Sequence, residues 1–444
     1  MSIAFVHLSD IHFGQEKGGV IVIHDDAKDR LVDDVSNVVK TLPNGFASGV
    51  IVSGDIAYAG KQKEYEDAGK WFDRVAEAAG CARTDIQLVP GNHDIDREEI
   101  SLAMSLLLKE IAEKGEDKLD ECLASEKDRE YLYERFSAYR LFAAAYNSSL
   151  DVGGGNAGDR MVELAPGRIL HFIGLNTALI CSNKDKHGEL LLGARQRVLP
   201  INLGHELVVI AHHPLGWLKD SKDTRRFLTS RARIFMTGHE HSPSVHIEQI
   251  EEGCDLMTIE SGATIPPAAD DAYTYTYNII EFEWDSDNDA LIVKVHTRKW
   301  SEDKKIFIAD PEQLNKEFNL GCPNFRNAAP VKTDSLGAVS NLALSSTPVP
   351  IVKEANVVEV RKEAAVPMQY SLLRLRFFRD LTGPQRQSVL VKLKAIPTEF
   401  RQTLTHSMEQ KILDSLQLGN RLNDLESAIN EIEMLTKNED DPND

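Results

Sequence analysis

A chain of 444 residues exceeds one ordinary domain, and 42% hydrophobic with 27% charged residues is a globular balance that excludes wholesale disorder and a membrane-embedded architecture. The formal net charge of −20 disfavours binding of a phosphate backbone by the whole surface, so nucleic acid must be met locally or through bound cations. The dispersed cysteines (Cys81, Cys122, Cys181, Cys254, Cys322) never form a CxxC pair, which fits neither a disulfide framework nor a thiolate zinc site.

Residues 3–8, IAFVHL, read as a first strand that runs straight into Asp10 and His12. With a strand this early no secretory leader is expected, and no apolar run reaches the roughly 18 residues a bilayer demands. A cytoplasmic protein without membrane contact is expected. Helical patterns at 25–42 and 64–80 alternate with apolar runs at 50–55, 86–92, 169–176, 206–213 and 233–239, which predicts an α/β layered core. Between Asp96 and about residue 147 the chain is charged and helix-like, with Tyr139, Phe142 and Tyr146 on one face, and packing against the core is the expected role of those rings. After His239 the pattern becomes strand-rich. The catalytic part is expected to span 1–327, followed by a Ser/Thr/Pro-rich linker over 328–367. Residues 368–436 read as a small all-α bundle, with Thr382, Pro384 and Gln385 marking one helix start, and 437–444 as an acidic tail.

Almost every apolar run ends in a side chain able to bind a metal. Asp10 and His12 follow the first strand, Asp55 the second, Asn92 and His93 the third, His212 the run VVIA, and His239 and His241 the run RIFMTG. Sites form where the carboxyl ends of strands bring loops together on a rigid sheet. Aspartate, histidine and an amide oxygen suit manganese, iron, zinc, nickel or cobalt rather than an all-oxygen calcium cage. Their number suits two ions bridged by one carboxylate, with an acidified water between them as the nucleophile. Turn-forming polar residues alone would favour Ser, Gly and Asn at these positions, not so many histidines.

The order DxH, GD, GNHD, H, GHxH stands here as Asp10-Ile11-His12, Gly54-Asp55, Gly91-Asn92-His93-Asp94, His212 and Gly238-His239-Glu240-His241. It resembles the calcineurin-like metallophosphoesterases over roughly residues 1–300. The resemblance implies a two-sheet β-sandwich flanked by helices and two divalent cations, manganese first among the candidates. It places Asp10, His12, Asp55 and His241 around one ion and Asp55, Asn92, His212 and His239 around the other. His213 is left outside the set. His93 would protonate the leaving oxygen and Asp94 would orient its ring.

The chain lacks the GDxVDRG and RGNHE motifs whose arginines grip a phosphomonoester in the protein phosphatases, and Tyr58 stands where many relatives have a second aspartate. Hydrolysis of a phosphodiester in a nucleotide or nucleic acid is the expected activity. Lys219, Lys222, Arg225 and Arg226, in the segment after His213, are the candidate substrate-binding cluster, with a solvated helix face as the plain alternative. Residues 370–401 carry seven basic and two acidic side chains, so the bundle is expected to face an acidic surface, either the acidic catalytic part, another protein or nucleic acid. The segment from Tyr370 also resembles helical adaptor domains of bacterial defence proteins. That resemblance implies a protein partner recruited through 368–436, and with it the alternative of a nuclease effector.

Overall fold

The computed structural model describes residues 2–16, 20–249, 255–266, 274–310, 312, 316–326, 368–398, 400 and 404–439. The expected linker over 328–367 and residues 440–444 of the expected tail lie outside them. The chain runs β1 (Ser2–Leu8), α1 (Val20–Val39), β2 (Gly49–Val52), α2 (Gln62–Ala79) and β3 (Ile86–Leu88). The segment that follows holds α3 (Leu102–Lys114), α4 (Glu116–Ala124), α5 (Glu126–Tyr133) and α6 (Ser137–Ala145). The second half of the core comprises β4 (Asp159–Ala165), β5 (Arg168–Gly174), α7 (Ala194–Arg197), β6 (His205–Ile210), α8 (Ser221–Arg231), β7 (Ala232–Thr237), β8 (Ser244–Glu248) and β9 (Leu256–Glu260). It closes with β10 (Thr276–Asp285), β11 (Ala290–Ser301), β12 (Ile306–Ala309), β13 (Lys316–Gly321) and α9 (Pro323–Arg326). The C-terminal helices are α10 (Met368–Leu375), α11 (Gly383–Lys392), α12 (His406–Leu418) and α13 (Leu422–Glu439).

Two mixed sheets form the core. One has the order β12-β11-β10-β1-β2-β3 with β13 also on β11, and the other has the order β4-β5-β6-β7-β9-β8. β1, β2 and β3 are parallel, as are β5, β6, β7 and β9, so their carboxyl ends share one edge in each sheet. β1, β2 and β7 are buried along almost their whole length, which explains why they read as unbroken apolar runs rather than alternating ones. The sheets stack through aromatic contacts: Phe172 of β5 lies 4.9 Å from Phe5 of β1 and 6.1 Å from Phe282 of β10. No helix among the described residues is long and apolar enough to cross a membrane.

The helical segment is fastened to the core by its aromatic face. Phe142 lies 5.0 Å from Tyr65 and 6.0 Å from Phe72 of α2, and Tyr146 lies 6.3 Å from Phe72. On the other side of α6 sits the C-terminal bundle. There α10 widens into a π-helical turn, Arg376–Asp380, from which Arg379 pairs with Asp73 at 2.7 Å and donates to the Tyr146 hydroxyl at 3.1 Å.

Candidate metal centre

The loops after β1, β2, β3, β6 and β7 meet at one end of the sandwich. Five of the residues they carry sit in the left-handed region of backbone space: Asp10 (φ 53°), His12 (54°), Asp55 (53°), His239 (72°) and His241 (56°). Such a conformation costs a non-glycine residue roughly 1–2 kcal/mol. Its concentration here marks strain held by the surrounding sheets, the signature of a functional site. The backbone must also approach closely. Gly54 has φ +99°, and a Cβ on Gly91 would sit 2.1 Å from Asp55 Oδ1.

Asp55 is the centre of the cluster. Its Oδ2 lies 3.3 Å from His12 Nε2 and 3.3 Å from His212 Nε2, while Oδ1 accepts the backbone N–H of His93 at 2.8 Å. On one side, His241 Nε2 lies 3.2 Å from Asp10 Oδ1. On the other, His212 Nε2 is 3.2 Å from both Asn92 Oδ1 and His239 Nδ1. Asp10, Asp55 and His212 are fully buried, whereas His93, His239 and His241 stand nearer the opening.

Neighbouring groups fix the ring orientations. His212 Nδ1 faces the Ser53 carbonyl at 2.8 Å, leaving Nε2 for the cluster, and His12 Nδ1 faces the Ile265 carbonyl at 3.4 Å. Ser9 Oγ and the His239 amide both donate to Asp10 Oδ2, at 2.6 and 3.0 Å. Trp217 meets the His239 ring edge-on at 4.3 Å. Ser9, Ser53, Ile265 and Trp217 escape sequence reasoning because their roles arise from carbonyls, one hydroxyl and one ring edge, none with a motif of its own.

The electrostatics are those of a ligand set. Burial alone would push the Asp55 carboxyl up, but the charge of His212 and hydrogen bonds from His12 and His212 hold it well below the usual carboxylate range. Burial disfavours a charged His212, yet the adjacent Asp55 carboxylate raises that ring to about 9. His239 is driven down to about 4 by burial and then by the charge of His212. One His212 N–H cannot satisfy Asp55, Asn92 and His239 together, so the cluster holds more lone pairs than protons. Asp10, His12 and His241, and likewise Asp10, Asp55 and His212, bring ligand atoms within 4.8 Å of one another. These residues fit two divalent cations with mixed N/O ligation.

His213 shares a cluster of three with His212 and His239, but its Nδ1 pairs with Thr177 Oγ1 at 2.9 Å and its Nε2 lies 3.9 Å from Cys181 Sγ, so both nitrogens are engaged away from the centre. His93 Nδ1 faces the Tyr58 carbonyl at 2.7 Å, and Tyr58 stacks on the ring at 5.2 Å and 26°. Asp94, expected to orient the His93 ring, does something else. It accepts from the amides of Ile56, Ala57 and Gly91 and from Tyr65 Oη, all at 2.9–3.2 Å, tying the second and third ligand loops together. A carboxylate with four donors of its own has no capacity left for the ring. Burial and then the Asp55 charge push Asp94 up to about 7.

The basic side chains after His213 do not gather at the centre. On exposed parts of α8, Arg225 pairs with Glu248 at 2.5 Å and Arg226 with Asp223 at 3.1 Å. Lys219 donates to the Ala112 carbonyl at 2.5 Å, and Lys222 is exposed.

Residues 3–243 match the calcineurin-like phosphoesterase family, and 369–431 match the GTPase-associated adaptor domain. The chain is 26% identical over 290 residues to the uncharacterized metallophosphoesterase-like protein YydB of Bacillus subtilis, an alignment covering 60% of this chain and 54% of that one. The match thus spans about half the length of this relative. Among solved structures, purple acid phosphatase PPD1 from yellow lupin aligns with a TM-score of 0.41 at 11% identity, over 76% of this chain and 57% of that one. The NAD nucleotidase NadN of Haemophilus influenzae aligns with a TM-score of 0.35 at 11% identity, over 74% and 55%. Since the family match spans more than half the chain and takes in every loop that meets at Asp55, this protein belongs to the calcineurin-like phosphoesterases, metal-dependent phosphoester hydrolases built around a dinuclear divalent centre.

Proposed function

We propose that the protein hydrolyses a phosphodiester bond of a nucleotide or nucleic acid, with two manganese ions as its working metals. The observation that carries the reading is the Asp55 carboxylate, one oxygen of which lies 3.3 Å from an imidazole on either side. Asp10, His12, Asp55 and His241 would hold one cation, and Asp55, Asn92, His212 and His239 the other. When bound, such a pair acidifies a water and neutralises charge on the phosphoryl oxygens. His93 has its Nδ1 occupied by the Tyr58 carbonyl, so its Nε2 is the nitrogen available to protonate a leaving alkoxide. Burial lowers its pKa, so it must take up a proton before it can give one. Tyr58, 39% exposed and stacked on that ring, offers an aromatic side chain beside His93 on which a nucleobase could rest.

The second reading, a nuclease recruited by a protein partner in bacterial defence, draws its support from the adaptor-domain match at 369–431. That family's description points to a partner carrying a GTPase. Both readings are tested with purified full-length protein and Mn²⁺ on bis-p-nitrophenyl phosphate, then on cyclic nucleotides, dinucleotides and labelled DNA and RNA. Turnover that disappears in Asp55→Ala and Asn92→Ala supports the mechanism, and equal turnover in both variants defeats it. Cleavage confined to DNA or RNA favours the recruited nuclease.

A further inference from the structure

Arg97 begins the short turn Arg97–Glu99, directly after the loop that carries Asn92 and His93. One terminal nitrogen donates to the Asn92 carbonyl at 3.0 Å. Its Nε is buried without a hydrogen-bond partner, and no carboxylate among the described residues lies within 4.0 Å of the guanidinium. Its charge reaches His93, where it adds a little to the effect of burial in lowering that ring's pKa. Arg129 on α5 is similar, with its Nε unpaired and one terminal nitrogen on the Leu123 carbonyl, but several other arginines differ. Arg168, Arg197 and Arg298 each face a carboxylate. Arg135, fully buried, is satisfied by the carbonyls of Leu132, Leu179 and Cys181, whereas the terminal nitrogens of Arg374 reach Asn147 and Ser149 and its Nε is left unpaired.

A half-buried guanidinium with no carboxylate in direct contact, and only the longer-range charge of Asp185 to offset it, is incompletely compensated, and an anion completes it. The fixed planar fork of arginine matches the tetrahedral oxygens of a phosphoryl group, and the contact with Asn92 pins it to the rim of the centre. Arg225 and Arg226 of α8 are spent on Glu248 and Asp223, and Lys219 just before α8 on the α3 carbonyls, so they leave this task open. Resting on the phosphoesterase reading above, we propose that Arg97 binds a non-bridging oxygen of the substrate's phosphoryl group. The protein thus grips its substrate with an arginine that follows the GNHD motif instead of preceding it.

The test uses the full chain loaded with Mn²⁺. Inorganic phosphate is titrated calorimetrically into wild type, Arg97→Gln and Arg97→Lys, with metal content measured on each sample and KM for bis-p-nitrophenyl phosphate determined in parallel. Loss of a charged hydrogen bond predicts phosphate binding about tenfold weaker or more in Arg97→Gln, with KM raised, two metals retained and partial recovery in Arg97→Lys. Unchanged phosphate affinity and KM in a folded, two-metal variant overturn the proposal. So does metal loss that saturating Mn²⁺ repairs together with full phosphate affinity, since Arg97 would then only position the Asn92 loop. Wild type that binds phosphate but turns over no ester sinks the proposed function while leaving Arg97 tested; wild type that turns over the ester but binds no phosphate overturns the Arg97 proposal and leaves the proposed function standing.

Discussion

Single residues at the centre have separable jobs. His93 has its Nδ1 anchored by the Tyr58 carbonyl and offers a ring nitrogen that lies with His12 and Asp55 within 4.8 Å, and its proposed part is proton transfer. Replacing it with alanine should lower turnover by about 10²–10⁴-fold for an alkyl leaving group, which needs a proton, and far less for p-nitrophenolate, which does not. Equal losses on both esters, measured by steady-state kinetics, would remove it from proton transfer. Gly91 is a test of close approach. Its Cβ would overlap Asp55 Oδ1, so Gly91→Ala should displace the central carboxylate and lower cation affinity even where the fold survives. The identities of the clustered residues were legible because ligand chemistry is written in residue type and in motif order. What the sequence hid was the use of backbone: the left-handed turns at Asp10, His12, Asp55, His239 and His241, and the carbonyls that set each ring. Asp94 shows the limit, since adjacency to His93 suggested a partner while the donors that occupy it come from two loops and helix α2.

At the scale of elements, α6 is the hinge between core and bundle. Its aromatic spacing announced a buried face but not that α2 covers it, nor that the other side would be claimed by α10 and the π-helical turn after it. Phe142 is 4% exposed and touches Tyr65, Phe72 and Tyr146. Phe142→Ala should therefore cost about 3–5 kcal/mol in chemical denaturation, and a value near zero would mean that this contact is not made. His406 lies in the same seam, 4.9 Å from Phe378. Burial and then the charges of Arg140, Arg374 and Arg386 lower its pKa from 6.5 to about 3. The unfolded chain therefore binds a proton here that the folded chain refuses between those values. This contribution is fully present above pH 6.5 and is lost as pH falls toward 3. His406→Phe should flatten that part of the pH–stability curve, and an unchanged slope would place the titration elsewhere.

Over the whole molecule, four of the seven basic side chains counted in residues 370–401 meet acids of the same chain, while Arg374 bonds Asn147 and Ser149 and Arg401 lies outside the described residues. Arg376 pairs with Glu433, Arg386 with Glu409 and Lys392 with Glu431, while Arg379 reaches Asp73 on the core. A window along the sequence cut across the bundle and separated each cation from its partner, which is why charge counting alone could not find this pairing. The central claim is that distant loops assemble one centre for two cations around Asp55. It is tested most directly by metal analysis of metal-saturated, desalted protein. The account predicts two divalent ions per wild-type chain, about one in His241→Ala, and loss of both in Asp55→Ala with the fold retained by circular dichroism. Wild type that holds no ion after saturation, or Asp55→Ala that still holds two, would contradict it.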